Sequence, residues 1–289
     1  CEMPELPEVE IVKQSLDKKI KLKKIQKIII RNRNLRFKIP LNIEKNLTNK
    51  IIKKITRFSK YLIISFTDSS FCILHLGMTG TVHLLEKNKK KCITNVSFYG
   101  PSINPKKHNH IEIYFNNIRM IYNDPRRFGF FKFIKGKKEL LNFFKNTGPE
   151  PFSKKFNLKY VSNYLLNKKK NIKNFLLDQK FVSGIGNIYA SEILYFCKIN
   201  PIQKAKNLSK EKCKKIIHFS KSVLRKSIKK GGSSIRDFKN TQGTDGKFQE
   251  EFRVYQRENL SCYKKRCNGK IKKIFTSNRS TFFCTDCQK

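Results

Sequence analysis

Three observations predict an α+β chain built in parts. Short apolar segments separated by turn residues fill the first 135 residues, the pattern of antiparallel strands. From residue 151 the apolar spacing changes to the helical period. The C-terminal stretch carries two cysteine pairs, Cys262-x4-Cys267 and Cys284-x2-Cys287, at metal-ligand spacing. The expected division is a β-rich N-terminal domain over 1–135, a linker over 136–150, a helical domain over 151–250 and a cysteine unit over 251–289. A length of 289 residues with 38% hydrophobic content suits about two packed cores.

In order, the first helix is expected from Val9, Val12 and Leu16, an apolar stripe at helical spacing. Strands are expected at 28–30, 50–55, 61–66, 71–76, 81–85, 111–115, 119–122 and 130–134. Gly77-Met78-Thr79-Gly80 joins two of these, and Asn116-Asn117 reads as a hairpin turn. Such a set packs as two sheets. Residues 87–105, basic and then rich in Gly, Pro and Asn, read as a long loop, and 136–150 read as linker, closing on Gly148-Pro149-Glu150-Pro151. Helices are expected at 159–166, 170–177, 187–196 and 209–228, the last capped by Ser209 and stopped by Gly231-Gly232. Residues 240–249 read as a polar, Gly-rich loop.

The formal net charge is +43, which implies a polyanionic partner, nucleic acid first among them. A composition rich in Lys, Asn and Ile also follows from AT-rich coding, so where the basic residues fall matters more than their number. No apolar run approaches the ~18–20 residues of a membrane span, and the acidic N-terminus does not read as a secretory signal. Nine cysteines, an odd number with four clustered at one end, point to a reducing, cytoplasmic setting.

The oddest stretch is Met3-Pro4-Glu5-Leu6-Pro7-Glu8-Val9-Glu10, where a basic chain opens on carboxylates and prolines. It reads as an ordinary helix start, with proline and acids in the first turn. It also reads as a nucleophile. If Met3 is the start and is removed, Pro4 carries a secondary α-amine, and α-amines titrate near ~8 against ~10.4 for lysine. Such an amine attacking a sugar aldehyde carbon gives an iminium cation directly, and Glu5 beside it can give or take a proton.

Cys262, Cys267, Cys284 and Cys287 suit one tetrahedral Zn²⁺. Four thiolates leave no open position for water, so the expected role is structural. Lys270, Lys272, Lys273, Asn278 and Arg279 lie between the pairs. They read as a zinc-stapled hairpin presenting basic groups to phosphates, or as a solvated face.

Together these strings resemble formamidopyrimidine-DNA glycosylase over essentially the whole chain. The resemblance rests on Pro4-Glu5-Leu6-Pro7-Glu8-Val9-Glu10, Ser59-Lys60-Tyr61-Leu62, His75-Leu76-Gly77-Met78-Thr79-Gly80 and Asp124-Pro125-Arg126-Arg127-Phe128-Gly129. It continues in Gly148-Pro149-Glu150-Pro151, in Gly184-Ile185-Gly186-Asn187-Ile188-Tyr189-Ala190-Ser191-Glu192, and in the cysteine hairpin. It implies an N-terminal β-sandwich, a helix-two-turn-helix domain and a C-terminal zinc finger. It also implies a monomer acting on double-stranded DNA with oxidised bases or abasic sites.

The activity implied is excision of oxidised purines followed by strand cleavage through β- and δ-elimination, with Pro4 as nucleophile and Glu5 as proton donor to the sugar ring oxygen. Lys60, His75, Asn187 and Arg279 match phosphate-holding residues, and His108 matches a further DNA-facing histidine, with its near neighbour His110 open as the alternative match. Met78, Arg126 and Phe128 match the residues that fill the void left by an everted base. Lys173 matches a lysine near the damaged base, and 234–246 matches the loop that covers it.

Two departures bear on the site. As written, Cys1-Glu2-Met3 precedes Pro4 and makes its nitrogen an amide. The first cysteine pair encloses four residues where the family usually has two. Two alternatives stay open: an endonuclease VIII-like glycosylase for oxidised pyrimidines, and a non-catalytic DNA-binding relative.

Overall fold

The computed structural model describes residues 3–86, 106–233 and 247–289, with the backbone of 92–96. The chain forms two compact units, residues 1–145 with 228–247 and residues 146–227 with 248–289.

In the first unit, α1 (Leu6–Ile20) begins where Glu5 leaves the extended conformation and Pro7 pre-sets the first turn. Its apolar stripe of Val9, Val12, Leu16 and Ile20 is fully buried. Nine strands build two antiparallel sheets. One has β1 (Lys27–Ile30), β7 (Asn109–Tyr114), β8 (Ile118–Asn123), β5 (Thr81–Glu86) and β6 (Cys92–Val96) side by side in that order. The other runs β2 (Ile52–Phe58), β3 (Tyr61–Phe66), β4 (Phe71–His75), β9 (Phe130–Ile134). Leu62 and Ile64 of β3, Leu74 of β4, Leu84 of β5, Ile113 of β7 and Met120 of β8 join the α1 stripe in one apolar cluster. The expected sandwich is present because alternate residues of both sheets meet in this core.

Three local differences from the expected elements are present. The stretch read as linker contains α3 (Lys137–Phe144). Its Leu140, Phe143 and Phe144, at i, i+3 and i+4, pack on Ile73, Phe130 and Ile134, the outer face of the four-stranded sheet. A one-turn helix, α2 (Ile43–Leu47), was not anticipated; two buried residues four apart are too little periodicity to read. Within the 87–105 stretch, 92–96 pairs with β5, while the rest of that stretch lies outside the described residues, as does 234–246.

The second unit contains α4 (Leu158–Leu165), α5 (Ile172–Leu177), α6 (Asn187–Cys197), most of α7 (Lys210–Lys229) and the hairpin of β10 (Ile271–Thr276) with β11 (Arg279–Cys284). Each helix starts on a short polar or glycine residue. Asn157 accepts the Tyr160 N–H at 3.0 Å, Asn171 accepts that of Asn174 at 2.9 Å, and Ser209 Oγ accepts that of Lys212 at 3.2 Å. Gly231 and Gly232, at φ 80° and 81°, end the last helix as expected. The central helix α6 is buried along nearly its whole length. Its Glu192 carboxylate accepts the N–H groups of Arg253, Val254 and Tyr255 at 2.9–3.0 Å, which ties the segment leading to the hairpin onto the helix.

One ionisable ring of the sandwich is buried at the end of β4. His75 stacks on Phe130 at 5.5 Å and lies against Tyr61 at 4.8 Å. Burial, with the Lys60 ammonium and the Arg36 guanidinium opposing protonation, holds its pKa down to about 3 against an ordinary 6.5. Because the folded value lies below the unfolded one, the unfolded chain takes the proton first as pH falls. The contribution to stability is therefore complete above the unfolded value and shrinks from there towards pH 3. His75→Gln removes this titration. The thermal midpoint of the unaltered protein is expected to fall more steeply than the variant's from pH 7 to pH 4.5, and parallel falls would contradict a buried neutral ring.

Candidate active site and metal centre

The N-terminal stretch is buried and held by a second carboxylate. Pro4 is buried and Glu5 is 1% exposed. Glu8 Oε2 accepts the Glu5 N–H at 3.0 Å, and Glu8 Oε1 accepts both the N–H and the hydroxyl of Ser233 at 2.9 Å. Glu8, itself 1% exposed, thus closes the first turn and binds residue 233 to it. One turn on, Glu10 accepts from Arg57 Nε at 2.8 Å while the same guanidinium donates to the Ser59 carbonyl at 2.8 Å. That pair fixes the Ser59-Lys60 turn between β2 and β3 relative to α1, with Ser59 at φ 56°.

Lys60 is only 5% exposed, so it is not a solvated surface lysine. His75 lies close enough to feel its charge. His75 Nδ1 accepts the Gly77 N–H at 3.1 Å. A neutral ring with Nδ1 as acceptor carries its proton on Nε2, which makes His75 a hydrogen-bond donor without a charge.

Met78, Arg126 and Phe128 sit on two loops of the first unit. Met78 is half-buried, whereas Arg126 and Phe128 are exposed, with the Arg126 guanidinium 4.6 Å from the Phe128 ring centre. Their exposure separates them from core residues. His108 is half-buried, while His110 is buried and its Nε2 meets the Asp124 carbonyl at 2.7 Å. Of the two histidines, His108 is the one with exposed surface.

In the second unit, Asn187 opens α6 behind Gly186, at the positive end of the helix dipole. Lys173 is fully buried. Its ammonium donates to Asn187 Oδ1 at 2.7 Å, to the Ser280 carbonyl at 3.0 Å and to Thr281 Oγ1 at 2.7 Å. Lys173 therefore joins the start of α6 to the start of β11, next to exposed Arg279. These contacts give it a bracing position that the sequence did not reveal.

The four cysteine sulfurs lie within 4.8 Å of one another. The separations are 3.9 Å for Cys262 and Cys287, 3.7 Å for Cys267 and Cys284, and 3.3 Å for Cys267 and Cys287. A thiolate tetrahedron with ~2.3 Å metal–sulfur bonds has edges of about 3.8 Å, so the donor set fits a single metal ion. The Tyr195 hydroxyl meets Cys262 Sγ at 3.3 Å and the Cys287 N–H donates to Cys284 Sγ at 3.4 Å, the outer support such sites use. A Cβ at Gly269 would lie 2.8 Å from Cys284 Sγ, so the first knuckle needs glycine there despite its larger turn.

Sequence reasoning missed Glu8, Arg57 and Asp124, which hold backbone rather than project into open space. For Glu8 a signal existed, a carboxylate three residues after an N-cap. For Arg57 and Asp124 the partners that tie them to another segment, Glu10 and Thr79, lie 47 and 45 residues away.

With this geometry in place, likeness to known proteins is extensive. Residues 3–131 match the model of the formamidopyrimidine-DNA glycosylase N-terminal domain, and residues 147–239 match that of the formamidopyrimidine-DNA glycosylase H2TH domain. The chain is 41% identical over 288 residues to formamidopyrimidine-DNA glycosylase of Ruthia magnifica, covering 99% of this chain and 100% of that one. It is 39% identical over 287 residues to that of Wolbachia pipientis from Culex pipiens, with 99% and 100% covered. A Lactococcus lactis FPG mutant in complex with Fapy-dG-containing DNA superposes with a TM-score of 0.87 at 34% identity, covering 99% of this chain and 100% of that one. MutM in complex with DNA containing carbocyclic 8-oxo-G gives 0.84 at 35% identity, with 99% and 100% covered. Matched across both domains and nearly its full length, the chain is a member of the formamidopyrimidine-DNA glycosylase family of enzymes.

Proposed function

We propose that this protein binds double-stranded DNA, excises oxidised purines, 8-oxoguanine and formamidopyrimidines, and then cuts the strand at the resulting abasic site. The observation that carries the reading is the buried Pro4-Glu5 pair held at the head of α1 by Glu8, in a family whose solved relatives are bound to DNA carrying Fapy-dG, an abasic site or 8-oxo-G.

The Pro4 nitrogen attacks C1′ of the damaged nucleotide and the base departs. The sugar ring opens with Glu5 protonating its oxygen, leaving an iminium between Pro4 and C1′. That cation acidifies the C2′ protons. Loss of one expels the 3′-phosphate, and a further elimination expels the 5′-phosphate. Nearby DNA phosphates favour the protonated form of Glu5, as a proton donor requires. The chemistry needs Pro4 as a chain-terminal amine, so removal of Cys1-Glu2-Met3 is part of the proposal; the N-terminal domain match begins at residue 3.

Lys60, His75, His108, Asn187 and Arg279 hold the DNA backbone in this reading, His75 as a neutral donor. Met78, Arg126 and Phe128 fill the gap left by the everted nucleotide. Lys173 supports Asn187 and the β11 strand that begins at Arg279. The functional division follows 1–135, 136–150, 151–250 and 251–289, and the protein acts as a monomer in the cytoplasm. No described helix is long and apolar enough to cross a membrane.

The metal is Zn²⁺, held by Cys262, Cys267, Cys284 and Cys287, and its chemistry is to staple the hairpin that carries Arg279. Elemental analysis of purified protein is expected to give one zinc per chain, and stripping it is expected to weaken duplex binding. Iron at that stoichiometry, or binding indifferent to metal removal, would count against this assignment.

For the activity, protein with a verified Pro4 terminus is compared on duplexes containing 8-oxoguanine opposite cytosine and on duplexes containing thymine glycol, with borohydride present. Faster cleavage of the purine lesion, with a trapped covalent adduct, is expected. Preference for thymine glycol would indicate the pyrimidine enzyme, and abasic-DNA binding without an adduct would indicate a non-catalytic relative.

A further inference from the structure

The proposed chemistry makes no use of Asp124, yet its carboxylate is fully buried where the two void-filling loops meet. Oδ1 accepts the Thr79 hydroxyl at 2.5 Å, from the loop that carries Met78. Oδ2 accepts the Gly129 N–H at 2.8 Å, at the end of the loop that carries Arg126 and Phe128, and the Tyr122 hydroxyl at 3.1 Å. Thr79 Oγ1 in turn accepts the Arg126 N–H at 3.1 Å. One hydroxyl therefore passes the constraint from the carboxylate to the backbone of the arginine itself.

The loops also touch backbone to backbone. Gly77 sits at φ 63°, and a Cβ there would fall 2.4 Å from the Gly129 nitrogen. A Cβ at Gly129 would fall 1.9 Å from the Tyr122 hydroxyl oxygen and 2.3 Å from the His75 carbonyl. Side chains are excluded at this contact, so the relative placement of the loops rests on hydrogen bonds. The Asp124 backbone is fixed as well. Its carbonyl meets His110 Nε2 at 2.7 Å and the Arg127 N–H at 3.2 Å, and its N–H donates to the His108 carbonyl at 3.1 Å.

We propose that Asp124, acting through Thr79, is a positioning residue that locks both loops into one wedge and so sets the enzyme's discrimination of the base opposite the lesion. The inference rests on the reading of Met78, Arg126 and Phe128 as void fillers. A carboxylate that fills its acceptor sites with donors from both loops allows one relative placement. With the wedge rigid, Arg126 meets the orphan base at a fixed height and angle, and a base with a different hydrogen-bonding edge is rejected. With the wedge loose, Arg126 adapts to either partner.

Asp124→Asn keeps the shape; with its amide oxygen on the Gly129 N–H and the Tyr122 hydroxyl, its NH₂ group stands where Oδ1 accepted the Thr79 hydroxyl, and that hydroxyl loses its charged acceptor. Thr79→Val removes only the relay and leaves the Gly129 and Tyr122 bonds. The ratio of kcat/KM for 8-oxoguanine opposite cytosine to that opposite adenine is measured for each, beside cleavage of a single-stranded abasic oligonucleotide, which has no opposite base. Both variants are expected to lower the ratio about tenfold, the scale of one lost charged hydrogen bond, with single-strand cleavage within about twofold of the unaltered protein. Thr79→Ser, which keeps the hydroxyl, is expected to restore the ratio. The double variant is expected to resemble the single ones, because both break one chain of contacts.

An unchanged ratio in Thr79→Val overturns the proposal even if Asp124→Asn fails to fold. An equal loss on all substrates together with a lower thermal midpoint also overturns it, leaving Asp124 as a stability residue. If the unaltered protein cleaves no abasic strand, the failure belongs to the catalytic reading and not to this one.

Discussion

The Glu8 carboxylate is the constraint on which the placement of the N-terminus depends. It is buried, it lies one turn into the first helix, and it takes hydrogen bonds from Glu5 on one oxygen and from Ser233 on the other. A charged carboxylate out of water is costly unless its lone pairs are filled, and filled ones give short, strong bonds. The head of α1 and the chain at residue 233 are therefore joined by a contact that neither can leave cheaply. Pro4 takes its position from that contact, because only Glu5 separates it from the turn that Glu8 closes. The proposed nucleophile, at a chain end once exposed, would otherwise fray.

The same use of buried acids recurs. Asp124 collects donors from two loops, and Glu192 collects three consecutive backbone N–H groups. In a chain with 64 basic residues and 21 acidic ones, these acids work inside the fold while most of the basic groups stay at the surface. The exceptions are informative. Among the described residues the two buried lysines are Lys60 and Lys173, and both belong to the proposed DNA-handling set. Burial thus marks these two lysines as placed cations, which a net charge cannot do. His75 adds a donor that stays neutral, suited to a phosphate beside an already charged lysine.

Much of this was legible in the sequence for identifiable reasons. The sandwich strands showed because stretches such as 61–66 and 130–134 are short, strongly apolar runs of strand length. The long α7 showed because its apolar stripe and Ser209 cap are local features. The cysteine centre showed because ligand spacing is a property of short turns. What stayed hidden depends on tertiary neighbours. The α3 helix reads as linker in the sequence because the three apolar residues it packs, Leu140, Phe143 and Phe144, gain meaning only against Ile73, Phe130 and Ile134. The bracing position of Lys173 depends on Thr281, 108 residues away. Asp124 opens the Asp124-Pro125-Arg126-Arg127-Phe128-Gly129 stretch, but its grip on Thr79 spans 45 residues and has no local signature.

In the proposed chemistry the amine at the head of α1 is the group that bonds to deoxyribose. The most direct test is to reduce the protein–DNA adduct with borohydride, digest it, and locate the sugar remnant by peptide mass spectrometry. A single modified peptide beginning at Pro4 is expected, with the added mass on the proline nitrogen. A remnant on Lys60, Lys173 or any other lysine, with the Pro4 peptide unmodified, would contradict it.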